Sequence, residues 1–551
     1  MDLREFTPKL FTLLKEGISA RQISRDLFSG IIVGIIALPL SIAFAIASGV
    51  SPDKGLVTAI IAGFFISVFG GSRVQIGGPT GAFIVIVYGI VQQYGVEGLT
   101  VATFIAGFMI MLMGFLRFGS LLKYFPFTLI VGFTAGIAVI IFSSQIKDLL
   151  GLEMGAVPSG FIEKWAEYGR HLTAANLYAV LIGLGTIAVI LLFTRITSKV
   201  PSPLIAIVLS TLAVYFFQLP VDTISSRFGT IPNTLPMPKF YSVDFETFKN
   251  LLAPALAIAM LGGIESLLSA VVADGMIGGR HRSNMELVAQ GGANILSAMF
   301  GGIPATGAIA RTAANIKNGG RTPISGVVHA LTLLVIMLLA APLAGLIPLA
   351  CLAGILVVVA WNMAELHTFA AILRSNRYDA AVLLVTFFLT VVFDLVVAIE
   401  IGMVLAAFLF IKRMADATSL GQMFDAQTAG DSPLFEDEFG KIPPHIAVYE
   451  INGPLFFGAA QRFFDALKDL GDRHSVLILR MRHVSIIDAT GMKRLEDLVR
   501  LLEGRGVKVV LSGVSPRIMD DLLKAGFIDV ERMQPDMEAA LKWVSELSRK
   551  S

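Results

Sequence analysis

From about Leu27 to Lys412 one apolar span follows another, and few architectures can absorb such a run. Fourteen spans fall at roughly 28–48, 55–70, 79–93, 100–117, 122–142, 174–194, 202–218, 251–270, 284–300, 304–317, 324–344, 346–361, 378–394 and 396–411. About 20 apolar residues cross a bilayer as a helix. In hydrocarbon such a helix satisfies its own backbone groups. Charged residues make up only 15% of the 551, and 55% are hydrophobic. A soluble globular protein averages about 25% charged. The expected fold is therefore a polytopic α-helical membrane protein. A net charge of +2 gives no bulk reason to expect nucleic acid or an acidic partner. The single cysteine, Cys351, lies in an apolar span and permits neither an internal disulfide nor a cysteine metal site. Residues 1–27 lack a short apolar core followed by a small-residue cleavage site, so they read as a cytosolic amphipathic lead-in.

Lys and Arg near the span ends set the orientation. Eighteen of them, including Arg25, Arg117, Arg282, Arg321 and Arg413, fall on one side; seven, including Lys54, Lys147, Lys164 and Arg227, fall on the other. The richer side is expected to be cytoplasmic, and an even span count places both termini there. Asp274 and Asp394 lie near span ends, where capping or solvation is expected, and His329 and His367 read as ordinary packing residues.

The expected transport region is 28–413, followed by a polar, acidic linker at 414–440. Residues 441–551 then alternate strand-like runs ("HIAVYEI", "SVLILRM", "KVVLSGV") with helical ones, which predicts a small cytosolic α/β domain.

Two spans are short and begin at a Gly/Pro break. Residues 77–82 read "GGPTGA" and residues 301–308 read "GGIPATGA". A broken helix is tolerated at membrane depth only where it is buried in protein or lines a wet cavity. A half-helix starting there turns its free N–H groups and positive dipole end toward whatever fills the cavity. Paired breaks in corresponding positions of two halves point to a transporter binding site. The breaks fall in spans three and ten, which fits two repeats of seven, the second inverted. Two positive ends meeting near the midplane make an anion site.

Arg311, seven residues or two helical turns after Pro304, is expected near that site; the other readings are a structural Arg paired with a carboxylate or carbonyls, or one snorkelling to the cytosolic surface. Glu265 lies mid-span, with Ser269 four residues on and on the same helix face. Desolvated carboxyls hold protons more tightly, the chemistry of a proton-coupled carrier. A permanently ionised partner for Arg311 and a sodium site made with Ser269 are the other readings. Neither a Cys/His cluster, nor a Walker loop, nor a convincing catalytic triad is visible, so neither enzymatic chemistry nor a cofactor is expected.

The strings "AIAMLGGIESLLSAVVADGM", "GGIPATGAIARTAANIKNGGRTPISGVVHAL" and "HVSIIDATGMKRLEDL" resemble the SulP anion transporters and their C-terminal sulfate transporter and anti-sigma factor antagonist (STAS) domain. The resemblance implies a seven-plus-seven inverted repeat of 14 helices, divided into core and gate domains that move in an elevator-like way, and a homodimer. "QIKDLLGLEM", "ADGMIGGRHRSNMELVAQG" and "VVAWNMAELH" resemble most the bacterial C4-dicarboxylate carriers of that family. They imply proton-coupled uptake of succinate, fumarate or aspartate across the bacterial inner membrane. Sulfate or bicarbonate transport, with sodium as coupling ion, is the alternative, and a channel-like or sensory protein signalling through STAS is a different class. Carried over residue by residue, the implied site is Leu40, Phe44, Thr80, Gly81, Ser269, Gly307, Ala308 and Arg311, with Glu265 for the proton. Leu40 stands where many members have Gln, and Glu265 where bicarbonate carriers have Asp. Thr490 of "DATG" occupies the position phosphorylated in some anti-sigma antagonists; a solvated turn and a site for a soluble regulatory partner are both open.

Overall fold

The computed structural model describes residues 3–120, 126–155, 157–158, 160–196, 201–239, 244–393, 395–424, 442–443, 445–468, 474–526 and 529–550. Asp394 and most of the expected linker lie outside them. The chain forms two compact units, Met1–Val404 and Leu405–Ser551.

The first unit runs α1 (Ala20–Ala47), α2 (Pro52–Phe69), β1 (Gly77–Gly78), α3 (Ile84–Phe115), α4 (Phe127–Leu150), α5 (Phe161–His171), α6 (Leu177–Ile196) and α7 (Ser202–Phe217). It continues with α8 (Phe245–Ile277), α9 (Ser283–Met299), β2 (Thr306–Gly307), α10 (Ile309–Lys317), α11 (Ile324–Ala344), α12 (Leu349–Met363), α13 (Arg377–Val392) and the start of α14 (Leu395–Ala417). Eight helices among the described residues are long and apolar enough to cross a membrane. The expected spans all map onto helices, with differences that have physical causes. Spans 79–93 and 100–117 abut in α3, where the backbone turns at Gly95 with φ 69°, a conformation glycine adopts without a Cβ clash. The two short spans begin later than expected: Gly81–Phe83 form a 3-10 turn before α helix starts at Ile84, and Thr306–Ala308 stay extended before it starts at Ile309.

Side chains such as Phe216, Phe217 and Leu339 are largely exposed, as expected of helices whose solvent is lipid. Interior helices approach by way of small residues. A Cβ on Gly291 would stand 2.5 Å from the Gly107 carbonyl oxygen, and one on Gly107 2.8 Å from that of Gly291. Close backbone approach at small residues replaces the hydrophobic driving force that lipid cannot provide.

The second unit is a five-stranded sheet in sequential order. β3 (Ser419–Phe424) pairs antiparallel with β4 (Ile446–Asn452), and β5 (Val476–His483), β6 (Lys508–Ser512) and β7 (Met533–Gln534) follow in parallel. β3 falls inside the segment expected to be linker: "SLGQMF" gains an edge ladder against β4 that its composition did not advertise. Alternation divides the strands between two cores. Ala447, Leu477, Leu479, Val509 and Leu511 face the layer containing α15 (Phe457–Leu467), α16 (Ala489–Gly504) and α17 (Pro516–Ala525). Ile446, Val448, Ile478 and Val510 face α18 (Met537–Lys550).

Candidate anion site between two half-helices

β1 and β2 pair with each other. Gly77 lies opposite Gly307 and Gly78 opposite Thr306, antiparallel. The chain therefore leaves this two-residue ladder in opposite directions, into a short 3-10 turn and α3 on one side and into α10 on the other. Both helix N-termini, with their positive dipole ends, face the ladder.

Breaking two helices in a membrane frees backbone groups, and nearby side chains take them up. Thr58 Oγ accepts from the Ile303 amide at 2.7 Å, Ser297 Oγ donates to the Ile303 carbonyl at 2.8 Å, and Asn294 holds both the amide and the carbonyl of Ala305 at 2.8 Å. Before β1, the buried Glu286 carboxylate accepts from the Gly71 and Ser72 amides at 2.7 and 2.9 Å. The rest of the first break is satisfied from the second. Thr312 Oγ accepts from the Ile76 amide at 3.0 Å, Asn315 Nδ2 donates to the Val74 carbonyl at 2.8 Å, and the Ala308 amide donates to the Ile76 carbonyl at 2.8 Å.

Arg311 belongs to this set. It lies in the first turn of α10 rather than two helical turns beyond Pro304, because residues 304–308 are not helical. The side chain is buried, and its Nη2 donates to the Pro79 carbonyl at 2.8 Å. Nη1 is buried with no partner among the described residues. Part of the guanidinium thus does the structural work foreseen in the alternative reading, and part is a free cationic donor. Next to Pro79, Thr80 Oγ donates to Glu265 Oε2 at 3.0 Å. The break thereby joins an acid on α8 to a base on α10 through two consecutive residues.

The other implied residues divide. The Gly307 amide donates to Ser266 Oγ at 3.3 Å, and the Ala308 amide is engaged in the ladder, so both are committed within the protein. Ser269 is fully buried and donates to Thr312 Oγ at 3.4 Å; it fastens α8 to α10 instead of sharing a partner with Glu265. Phe44 is buried, and its ring stands with Met363 and Ile141 within 3.4 Å of where a Cβ on Gly81 would sit. Leu40 is half-buried on the same helix, one turn before Phe44. Thr490 is in the second unit, exposed as the second residue of α16 behind the Asp488 cap. Asp274 caps a turn by accepting from the His281 amide at 2.7 Å. His367 is exposed.

Sequence reasoning missed Gln75, Ser266, Glu286, Asn294, Thr306 and Thr312. Ser266 and Thr306 hydroxyls lie 2.7 Å apart, and Thr306 donates to the Gly262 carbonyl at 3.0 Å. Gln75 and His329 are buried with both polar side-chain atoms unpartnered among the described residues. A polar side chain in an apolar span was the one available signal for them.

An antiparallel ladder between two broken helices, ringed by buried donors and followed by a C-terminal α/β domain, defines a polytopic anion transporter. The sulfate permease family profile matches residues 23–386, and the STAS domain profile matches 441–540; the chain belongs to that family. A putative sulfate transporter of Bacillus subtilis, YvdB, is 43% identical over 513 residues, covering 93% of this chain and 95% of that one. The bicarbonate transporter BicA of Picosynechococcus sp. is 31% identical over 539 residues, covering 94% and 93%. The solved transmembrane domain of a cyanobacterial BicA superposes with a TM-score of 0.63 at 32% identity, covering 71% of this chain and 98% of that one. The solved SLC26A9 shares the fold, with a TM-score of 0.84 at 18% identity, covering 98% and 93%.

Proposed function

We propose that this membrane protein carries out secondary active, proton-coupled uptake of a small dianion, with C4-dicarboxylates such as succinate, fumarate and aspartate as the substrate class. The observation that carries this reading is the Pro79–Thr80 junction, with Glu265 on one side and Arg311 on the other. An anion arriving at the ladder would meet two positive helix ends and the unpartnered Arg311 Nη1. It would also meet a carboxylate whose charge a proton must cancel before a second negative charge settles nearby. That requirement couples the proton to the substrate. Alternating access by elevator-like movement of the core domain, which holds both half-helices, against the gate domain, assembly as a homodimer, residence in the bacterial inner membrane and cytoplasmic termini belong to the same reading. Exposed Thr490 would serve a soluble regulatory partner of the STAS domain.

A second reading, sulfate transport, is favoured by the identity to YvdB; bicarbonate, by that to BicA. Uptake into proteoliposomes with succinate, fumarate, aspartate, sulfate and bicarbonate in competition, at two pH values and with or without sodium, separates them. Succinate uptake driven by an inward proton gradient supports the C4-dicarboxylate reading. Uptake confined to sulfate, or to bicarbonate with sodium, contradicts it.

A further inference from the structure

A cavity of about 1050 Å³ opens where α1, α4 and the first half of α3 end and α8 begins. None of the residues assigned above to the anion site lines it, although Ala47 and Ile84 in its wall are each three residues beyond Phe44 and Gly81. Three cations line it, Lys147, Lys164 and Arg227, against the carboxylates of Asp148 and Glu400. Arg227 is neutralised by Asp148 at 2.6 Å and Asp222 at 3.3 Å. Lys147 Nζ donates to the carbonyls of Met154 and Gly155 at 3.0 and 2.9 Å.

Lys164 is different. It projects from α5, in the connection between α4 and α6, and is only 4% exposed. Among the described residues its ammonium has no carboxylate within ion-pair distance and no hydrogen bond; it stands over the Tyr88 ring, with the centroid 5.9 Å away. Tyr88 also lines the cavity, and its hydroxyl is fixed by donation to the Val157 carbonyl at 2.7 Å. The acids of α5 do not compensate Lys164: Glu167 pairs with Arg170 and His171, and Glu163 does not line the cavity. Burial pushes the Lys164 ammonium below its usual range, the mark of a charge held without its counterion. Such a charge is costly unless something pairs with it. A cation with an aromatic face, both lining an open cavity, suits a small anion that carries the missing charge.

We infer that Lys164, backed by the Tyr88 ring, is a receiving site for a small carboxylate or sulfate dianion, one stage before the site between the half-helices. The ligand's chemical class rests on the anion-uptake reading; the site itself rests on the cavity and the unpaired cation.

The test uses the full-length protein with Trp361→Phe and Trp543→Phe, which leaves Trp165, the neighbour of Lys164, as the single tryptophan. Sodium succinate or sodium sulfate is titrated against sodium gluconate at constant ionic strength, and Trp165 emission is read. The expected result is a saturable change that Lys164→Gln weakens about tenfold or more, and that Lys164→Arg and Arg311→Ala preserve. Equal affinity in Lys164→Gln, loss of the signal in Arg311→Ala that remains monodisperse, or no saturable change in the parent would overturn the inference. A Lys164-dependent signal in protein that transports neither anion into proteoliposomes leaves the site standing and contradicts the transport reading instead.

Discussion

Thr80 Oγ donates to Glu265 Oε2 at 3.0 Å, across 185 residues of sequence. The neighbouring Pro79 carbonyl accepts from Arg311 Nη2 at 2.8 Å, across 232. A Pro-Thr pair at a helix break therefore acts as the joint between an acid and a base from two other helices. Any movement that separates α8 from α10 must strain or break one of these bonds.

Thr80→Val keeps the shape of the side chain and removes the donor. A hydrogen bond to a charged group is worth about 1.5–3 kcal/mol, so proteoliposome uptake should fall about tenfold to a hundredfold, with Thr80→Ser largely restoring it. Unchanged uptake in Thr80→Val would mean that the bond to Glu265 has no part in transport.

Arg311→Ala removes both the Pro79 contact and the unpartnered Nη1. The account expects proteoliposome uptake to vanish while the protein remains monodisperse on size exclusion. Wild-type uptake would exclude Arg311 from the site. Loss of folded protein would show that its bond to the first break dominates.

Gly307 cannot accept a side chain as the structure stands: its Cβ would lie 1.7 Å from Gln75 Nε2. Gly307→Ala should lower stability by about 1–3 kcal/mol, the usual range for overpacking, and should depress uptake. Adding Gln75→Ala opens the space and should recover most of the thermal stability. A double variant no more stable than Gly307→Ala would locate the strain elsewhere.

In the second unit, Asp488 accepts from the Gly491 amide at 2.7 Å and the Phe457 amide at 3.1 Å, capping α16 and fixing the start of α15. Asp488→Ala should cost about 1 kcal/mol or more, the usual worth of an N-cap. A melting temperature unchanged for this unit would contradict the capping assignment.

The breaks, Glu265 and Arg311 were legible because they violate a local rule: Gly-Pro in an apolar run, or a charge in hydrocarbon; the C-terminal unit was legible from its alternating pattern, and Thr80 only through the family resemblance. What satisfies the breaks was not legible. Thr58, Asn294, Thr312 and Asn315 are ordinary polar residues on helices, and Glu286, though charged, sits near a span end; their partners lie far away in sequence or across a non-helical turn. Arg311 was placed two turns from the break by assuming helix from Pro304, whereas the ladder keeps the chain extended to Ala308. Ser269 was grouped with Glu265 by helical spacing, yet its hydroxyl points to Thr312, which spacing along one helix cannot reveal. β3 was hidden in the linker because an edge strand needs only one neighbour and little hydrophobicity.

The most direct measurement is accumulation of labelled substrate by Glu265→Gln proteoliposomes under an inward proton gradient. Glutamine imitates the protonated carboxyl permanently, so the variant should still bind and exchange substrate. Wild-type uptake should rise as external pH falls, and the variant should show no gradient-driven accumulation, because no proton can leave. Accumulation in Glu265→Gln that still follows the proton gradient would contradict the account. Accumulation by the wild type that requires sodium and ignores pH would do the same.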